Sequence, residues 1–145
     1  MLAENTVLTG RRAITRSYAK INLTLDVLSK RENGYHDIKM IMQTVSLFDL
    51  ILVDKTHRGI SISTNLPYLP CNEKNIAYKA ADAFFKATGI RGGAKIVIHK
   101  NIPVAAGLAG GSGNCAAVLT AMNMLHGNPL SNEELMHIGA SLGAD

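Results

Sequence analysis

Four glycines fall within seven residues in the stretch PVAAGLAGGSGNCAA, at Gly107, Gly110, Gly111 and Gly113, with Ser112 among them. Glycine gives up more backbone freedom on folding than any other residue, so such a run needs a use that offsets its cost. The alternating run AKIVIHKNI (94–102) precedes it, and the apolar run CAAVLTAMNMLH (115–126), helical in composition and length, follows it. A strand, a glycine loop and a helix start together make an anion site. The N–H groups of a helix's first turn lack acceptors within the helix, and its dipole places about half a positive charge there. Glycines let a phosphate approach the backbone, and Ser112 adds a hydroxyl suited to phosphate or a magnesium ion. No Lys or Arg lies after Lys100, so the backbone must supply most of the contact.

The spacing excludes two well-known phosphate motifs. A P-loop requires Lys-Ser or Lys-Thr after its last glycine, whereas Gly113 is followed by Asn114. The dinucleotide fingerprint reads G-x-G-x-x-G, whereas this loop reads G-x-x-G-G-x-G. The next acidic residues, Glu133 and Glu134, fall inside a helix-capping signature rather than at a ribose-binding position. Local sequence leaves two readings open: a phosphate cradle, or a turn that tightens strand-to-helix packing.

The elements that must position this loop can be read from apolar period. YAKINLTLDV (18–27) alternates, with Ala19, Ile21, Leu23, Leu25 and Val27 on one face. Tyr18, Lys20, Asn22, Thr24 and Asp26 share the other, which is either a site wall or an ordinary solvated strand face. Asn33-Gly34 signals a turn, and Tyr35 and His36 follow it. Residues 37–46, 49–54 and 59–64 read as strands, the last ending before Pro67 and Pro70. Ile76, Ala80, Ala83, Phe84 and Ala87 fall at helical spacing, with Asn75 as N-cap and Gly89 as terminator. Ser131 with Glu134 forms a capping box that starts a last helix, ended by Gly143. Strands come first and helices later, so the expected class is α+β (mixed α/β), one domain over residues 1–145.

The chain has 145 residues, 47% of them hydrophobic, which is enough for a core. Its net charge of +4 suits an anionic partner without requiring nucleic acid. Cys71 and Cys115 show neither metal spacing nor a disulfide framework, and burial is the expected state of Cys115. His57, His99, His126 and His137 have no ligand spacing. The first residues form no signal peptide, and no apolar stretch is long enough to span a membrane. The reading is a reduced, cytoplasmic protein.

With its leading proline, the glycine stretch resembles the second motif of the GHMP kinases (galactokinase, homoserine kinase, mevalonate kinase, phosphomevalonate kinase). AKINLTLDV, then RENGYHDIKMIMQTVSLFDLI, is similar to the amino-terminal block of the branch that phosphorylates 4-diphosphocytidyl-2-C-methylerythritol. The closing SLGAD resembles that branch's Gly-Ala/Ser-Asp segment, so the likeness runs from about residue 17 to 145. It implies an amino-terminal domain of ribosomal-protein-like fold with a left-handed β-α-β crossover. It also implies ATP and Mg²⁺ as cofactors and a cytidine-diphosphate substrate phosphorylated on its 2-hydroxyl, with no nucleic acid or membrane partner.

By the same resemblance, Lys20 and Asp145 are catalytic, the first as stabilising cation and the second as base. ATP would be bound by Asn75, Lys100, Pro103, Gly107, Leu108, Ala109, Gly110, Gly111, Ser112 and Gly113, with Ser112 also placed for the metal. Asn22, Tyr35 and His36 would bind the substrate. The sequence departs from the family pattern at three loop positions. Gly113 stands where the motif has a second serine, Ala109 replaces a frequent glycine, and Cys115 a frequent alanine. The family's carboxy-terminal domain has no counterpart here. Apolar surface exposed on that account is expected to favour a homodimer and to leave the chain weak or inactive alone. Other readings stand beside this one: a GHMP kinase for another small molecule, or a non-catalytic or RNA-binding domain of the same fold.

Overall fold

The computed structural model describes residues 2–143. Its strands are β1 (Thr6–Thr9), β2 (Arg12–Lys30), β3 (His36–Thr56), β4 (Gly59–Thr64) and β5 (Gly93–His99). Its helices are α1 (Ile76–Thr88), α2 (Gly110–Leu125) and α3 (Asn132–Ser141), after a short 3₁₀ turn at Leu2–Asn5. The strands form one sheet in the order β1-β2-β3-β5-β4. Neighbours are antiparallel except β4 and β5, which pair in parallel with α1 between them in the chain. That β-α-β unit and the antiparallel remainder give the α+β fold expected.

The core lies between the base of the sheet and the helices. Ile51, Val53, Ile96 and Ile98 from the sheet meet Ala77, Ala80, Ala81 and Phe84 of α1 and Val118, Leu119 and Met122 of α2. α2 is rich in alanine and buried along much of its length, which suits a helix enclosed by sheet and neighbouring helices. Asn75 caps α1, its Oδ1 accepting from Ala77 N at 2.9 Å, and Gly89 closes the helix at φ 68°. The capping box of Ser131 and Glu134 is present on α3.

Several boundaries differ from the sequence reading. β1 was not expected: it pairs with the start of β2 through a turn in which Gly10 takes φ 59°. β3 is one strand of 21 residues, where two were expected. β5 ends at His99, not at Ile102. α2 starts at Gly110, so three of the loop's four glycines lie in its first turn.

The largest correction concerns β2. Thr24 pairs with Ile41 and Asn22 with Met42, so Leu23 is an extra residue in a bulge. An extra residue reverses which face later side chains occupy. Leu25 and Val27 therefore pair with Met40 and Ile38 on the face of Lys20 and Asn22, and Asp26 passes to the opposite face, beside Lys39. Beyond Asn22 the paired strands form an arm outside the core, on which Leu23, Leu25 and Val27 are exposed rather than buried.

Candidate functional site

A cleft of about 1040 Å³ opens between the β2–β3 arm, the segment after β5 and the starts of α1 and α2. Lys20 and Asn22 line it from β2, and Ile38, Met40 and Met42 from β3. Asn75 and Lys100 line it, as do Pro103, Gly107, Leu108, Ala109, Gly110, Gly111 and Ser112. The loop is tied to β2 directly, because Lys20 N donates to Leu108 O at 3.2 Å. Residues far apart in sequence are thus brought to one surface.

The loop's glycines serve different ends. Gly107 adopts φ 74°, a left-handed conformation that glycine takes without penalty. A Cβ at Gly111 would meet no atom within 4 Å, so its bare backbone faces open space in the cleft. A Cβ at Gly110 would lie 3.2 Å from Ile102 Cγ2 and 3.4 Å from Lys100 Nζ, so this glycine also permits packing beneath the loop. A Cβ at Gly113 would lie 2.5 Å from Ser17 Oγ, a distance no real contact tolerates. The packing reading therefore holds at Gly110 and Gly113, while Gly107 and Gly111 leave bare backbone at the cleft, which is what a phosphate cradle would require.

The start of α2 is unlike those of α1 and α3. Its N-cap is Ala109, at φ 60°, whose side chain has no oxygen to accept from the first turn. The first intrahelical bond runs from Gly113 N to Ala109 O at 2.8 Å. The amide dipoles of the first turn are thus left without a side-chain cap at the cleft, an arrangement suited to an anion.

Beneath the loop lies a buried polar cluster centred on Asp49. Its Oδ1 accepts from Asn101 N at 2.7 Å and Ile102 N at 2.9 Å. Its Oδ2 accepts from Lys100 Nζ at 2.5 Å and Asn114 Nδ2 at 2.9 Å. Lys100 Nζ also donates to Asn114 Oδ1 at 2.9 Å. Asp49 is fully buried and Lys100 nearly so. The ammonium expected near the nucleotide is therefore directed into the protein, where it links β3, the end of β5 and the first turn of α2. Sequence reasoning missed Asp49 and Asn114. The one available signal was an aspartate within the otherwise apolar run SLFDLILV.

The other expected site residues divide. Asn75 lines the cleft, but its amide is already engaged, Nδ2 donating to Pro70 O at 3.0 Å while Oδ1 caps α1. Tyr35 is at the tip of the arm and 73% exposed, outside the cleft lining. His36 also lies outside that lining but, in strict alternation with Ile38, Met40 and Met42, continues their face toward the tip. Gly113 borders a smaller neighbouring cavity instead. Asp145 lies outside the described residues. Cys115 is buried, and loss of solvent pushes its thiol up to about 11, so it has no nucleophilic role at neutral pH. Among the described residues, no three His, Cys, Asp or Glu side chains gather into a metal site.

Residues 75–145 match the model of the GHMP kinases N terminal domain, over the segment that includes α1, the loop, α2 and α3. That segment belongs to the family of the GHMP kinases N terminal domain. The chain is 51% identical over 130 residues to a 4-diphosphocytidyl-2-C-methyl-D-erythritol kinase of Clostridium botulinum (strain Alaska E43 / Type E3). It is 51% identical over 133 residues to the protein of the same name from Caldicellulosiruptor saccharolyticus. Those matches cover 90% and 91% of the chain but 46% of each relative, so the chain spans about half the length of the curated relatives it matches. A crystal structure of 4-(cytidine 5'-diphospho)-2C-methyl-D-erythritol kinase superposes with a TM-score of 0.79 at 36% identity, over 91% of this chain and 46% of that one. The homoserine kinase of Cytophaga hutchinsonii, at 18% identity and TM-score 0.69 over 94% of this chain and 42% of that one, shares the fold.

Proposed function

We propose that this chain is the nucleotide-binding half of an ATP-dependent kinase for 4-diphosphocytidyl-2-C-methyl-D-erythritol. One observation carries the reading: Lys20, Asn22 and the Gly107–Ser112 loop meet in a single cleft at the side-chain-uncapped start of α2. The β- and γ-phosphates would lie over Gly111, against the amides of Gly110, Gly111 and Ser112. Asn75, Lys100 and Pro103 would shape the nucleotide side, Asn75 and Lys100 through the backbone they hold.

In the reaction, the substrate's 2-hydroxyl oxygen bonds to the γ-phosphorus as the bond to the β–γ bridging oxygen breaks and ADP leaves. Asp145 takes the hydroxyl proton, and Lys20 offsets charge on the reacting oxygens. Catalysis of this kind is mostly positioning and charge stabilisation. Mg²⁺ in such sites is held largely by water and phosphate oxygens, usually with one or two carboxylates, and the Ser112 hydroxyl is the donor that the loop would offer it. When bound, the ion neutralises charge on the phosphate oxygens.

Asn22 and His36 would take the substrate along the arm, with Tyr35 beyond them, and the apolar wall of Ile38, Met40 and Met42 would flank its path. The partners in this reading are small molecules in the cytoplasm rather than nucleic acid or a membrane, with self-association through exposed apolar surface. No helix among the described residues is long and apolar enough to cross a membrane.

Isothermal titration with ATP and Mg²⁺ tests the nucleotide reading. Gly111→Val places bulk where the backbone is bare and is expected to abolish binding while the circular dichroism spectrum stays unchanged. A folded Gly111→Val chain with normal ATP affinity overturns it.

A further inference from the structure

At the end of the sheet away from the cleft, the fold gathers basic residues that lie far apart in the chain. β2 begins where β3 ends and β5 begins, since Arg12 pairs with Asp54 and Asp54 with Lys95. The turn before β2 joins the same end, Lys55 N donating to Arg11 O at 2.8 Å. So does the turn after β3, because Gly93 packs so closely on the backbone of Arg58 that a Cβ there would clash with its carbonyl carbon. Arg91 stands on the segment that enters β5. Arg11, Arg12, Lys55, Arg58, Arg91 and Lys95 thus meet at one end, and Asp54 is the one acidic residue of segments 9–12, 54–59 and 90–95. This end carries more positive charge than the chain's whole net of +4. The acidic first turn of α3, Glu133 and Glu134, belongs to the helix layer, packed on α2 and α1.

α2 sets how far this end lies from the cleft. It starts at the cleft with Gly110 and runs 16 residues to Leu125, whose carbonyl oxygen accepts from Lys55 Nζ at 3.4 Å. At a rise of about 1.5 Å per residue, the basic end is about 24 Å from the glycine loop. Its charge is mostly uncompensated. Arg12 Nε and Nη2 take the two oxygens of Asp54 at 2.7 and 2.9 Å. Arg11, Arg58 and Arg91 are exposed, and none has a carboxylate partner among the described residues. Adjacent strands lie only about 4.8 Å apart. Charges within about 8 Å of one another are weakly screened at physiological salt. Their repulsion works against the compact state, and an anionic partner relieves it.

The chemistry of the surface selects among anions. Segments 9–12, 54–59 and 90–95 contain no Phe, Tyr or Trp, so they offer no platform for stacked bases. None of the exposed large apolar side chains lies on them, so nothing there enters a bilayer. What this end does display is a guanidinium fork closed on a carboxylate, in the pair of Arg12 with Asp54. Arginine matches carboxylates in that two-pronged geometry, and Arg11, Arg58 and Arg91 present the same group unengaged. We propose that this end of the sheet docks an acidic polypeptide segment, a run of Asp or Glu on a partner protein, held by Arg11, Arg58 and Arg91. None of these residues lines the cleft, so the partner leaves it open. The contact is independent of the nucleotide reading.

The test is fluorescence anisotropy of a labelled octaglutamate peptide titrated with the chain. Saturable binding is expected, weakened at least tenfold when salt rises from about 50 to about 200 mM. Arg58→Glu combined with Arg91→Glu should weaken it at least tenfold. Lys30→Glu combined with Lys79→Glu removes the same charge from the arm and from α1, and should change it less than threefold. Circular dichroism checks that each pair folds. Should the arginine pair fail to fold, Arg58→Gln with Arg91→Gln removes the charge without reversing it and is expected to cost at least fivefold. Equal losses in the arginine and lysine pairs, or no saturable binding by the original chain, overturn the site. Displacement of the peptide by ADP puts it in the cleft and overturns the site as well. A single-stranded oligonucleotide or phosphatidylserine vesicles that bind more tightly than the peptide, and lose binding with the arginine pair, overturn the acidic polypeptide as partner. If the peptide binds and ADP does not, the nucleotide reading falls while this site stands.

Discussion

At the scale of single residues, the site depends on groups that touch no ligand. Asp49 holds a buried ammonium and the backbone leading into the loop. Asp49→Ala leaves Lys100 charged and buried without a counter-charge, and breaking a buried pair from one side costs about 3–5 kcal/mol. Urea denaturation should show a loss of that size, or no folded chain. Ala109 sets the opposite expectation. It holds φ 60°, which costs a residue with a Cβ about 1–2 kcal/mol. Ala109→Gly relieves that strain but loosens the unfolded chain, for a net gain of up to about 1 kcal/mol. The same urea midpoints measure it. Gly110→Val and Gly111→Val should separate cleanly: the first lowers stability through Ile102 and Lys100, the second does not. These roles were illegible in sequence for a physical reason. Asp49 acts on partners more than 50 positions away in the chain, whereas the caps at Asn75 and Ser131 act within three residues and were read without difficulty.

At the scale of elements, α2 is held by what packs at its far end as well as its first turn. His126 caps its C-terminus, its ring 5.5 Å from Phe84 and 5.9 Å from Phe85. Burial, then the charge of Lys55, pushes the imidazole below its usual 6.5. Well above that value both folded and unfolded states are neutral there, and the group adds no pH dependence. As pH falls below 6.5, the unfolded chain takes the proton first and stability is lost until the folded pKa is reached. Thermal melts between pH 7.5 and 5.5 should therefore fall in the original chain and flatten in His126→Gln. The arm illustrates why other elements were misread. Strict alternation through 18–27 holds in the sequence, but the bulge at Leu23 is set by register with β3, which no local period encodes. The loop that opens α2 was legible as an element because the glycine spacing and the following helix are contiguous in the chain, whereas its absent side-chain cap was not read.

At the scale of the whole molecule, the cleft has a rigid side and an exposed side. The rigid side is the helix start above the Asp49 cluster. The exposed side is the arm, where Leu25, Val27, Leu28, Ile38, Ile41 and Met42 are each about half exposed or more. Apolar surface of that kind favours association. Sedimentation velocity should show a concentration-dependent dimer, reduced by Val27→Lys paired with Ile41→Lys. A monomer at all concentrations would remove self-association from the reading.

β2 and β3 each run unbroken from the core into that arm, Ala13 and Ile51 lying fully buried at one end and Leu28 and Ile38 exposed toward the other. One continuous strand therefore spans two regimes of protection from solvent exchange. Amides near Ala13, Thr15, Ile51 and Val53 should exchange only when the whole domain opens, while those of residues 24–30 and 36–41 open locally at far lower free energy. Lys20 and Asn22 stand at the frontier between them. A ligand that engages both must order the arm as it binds, so part of its contact energy goes into quieting that ribbon. Deuterium uptake in the arm should slow on saturation with substrate and nucleotide together, while the slow amides at the base keep their rates.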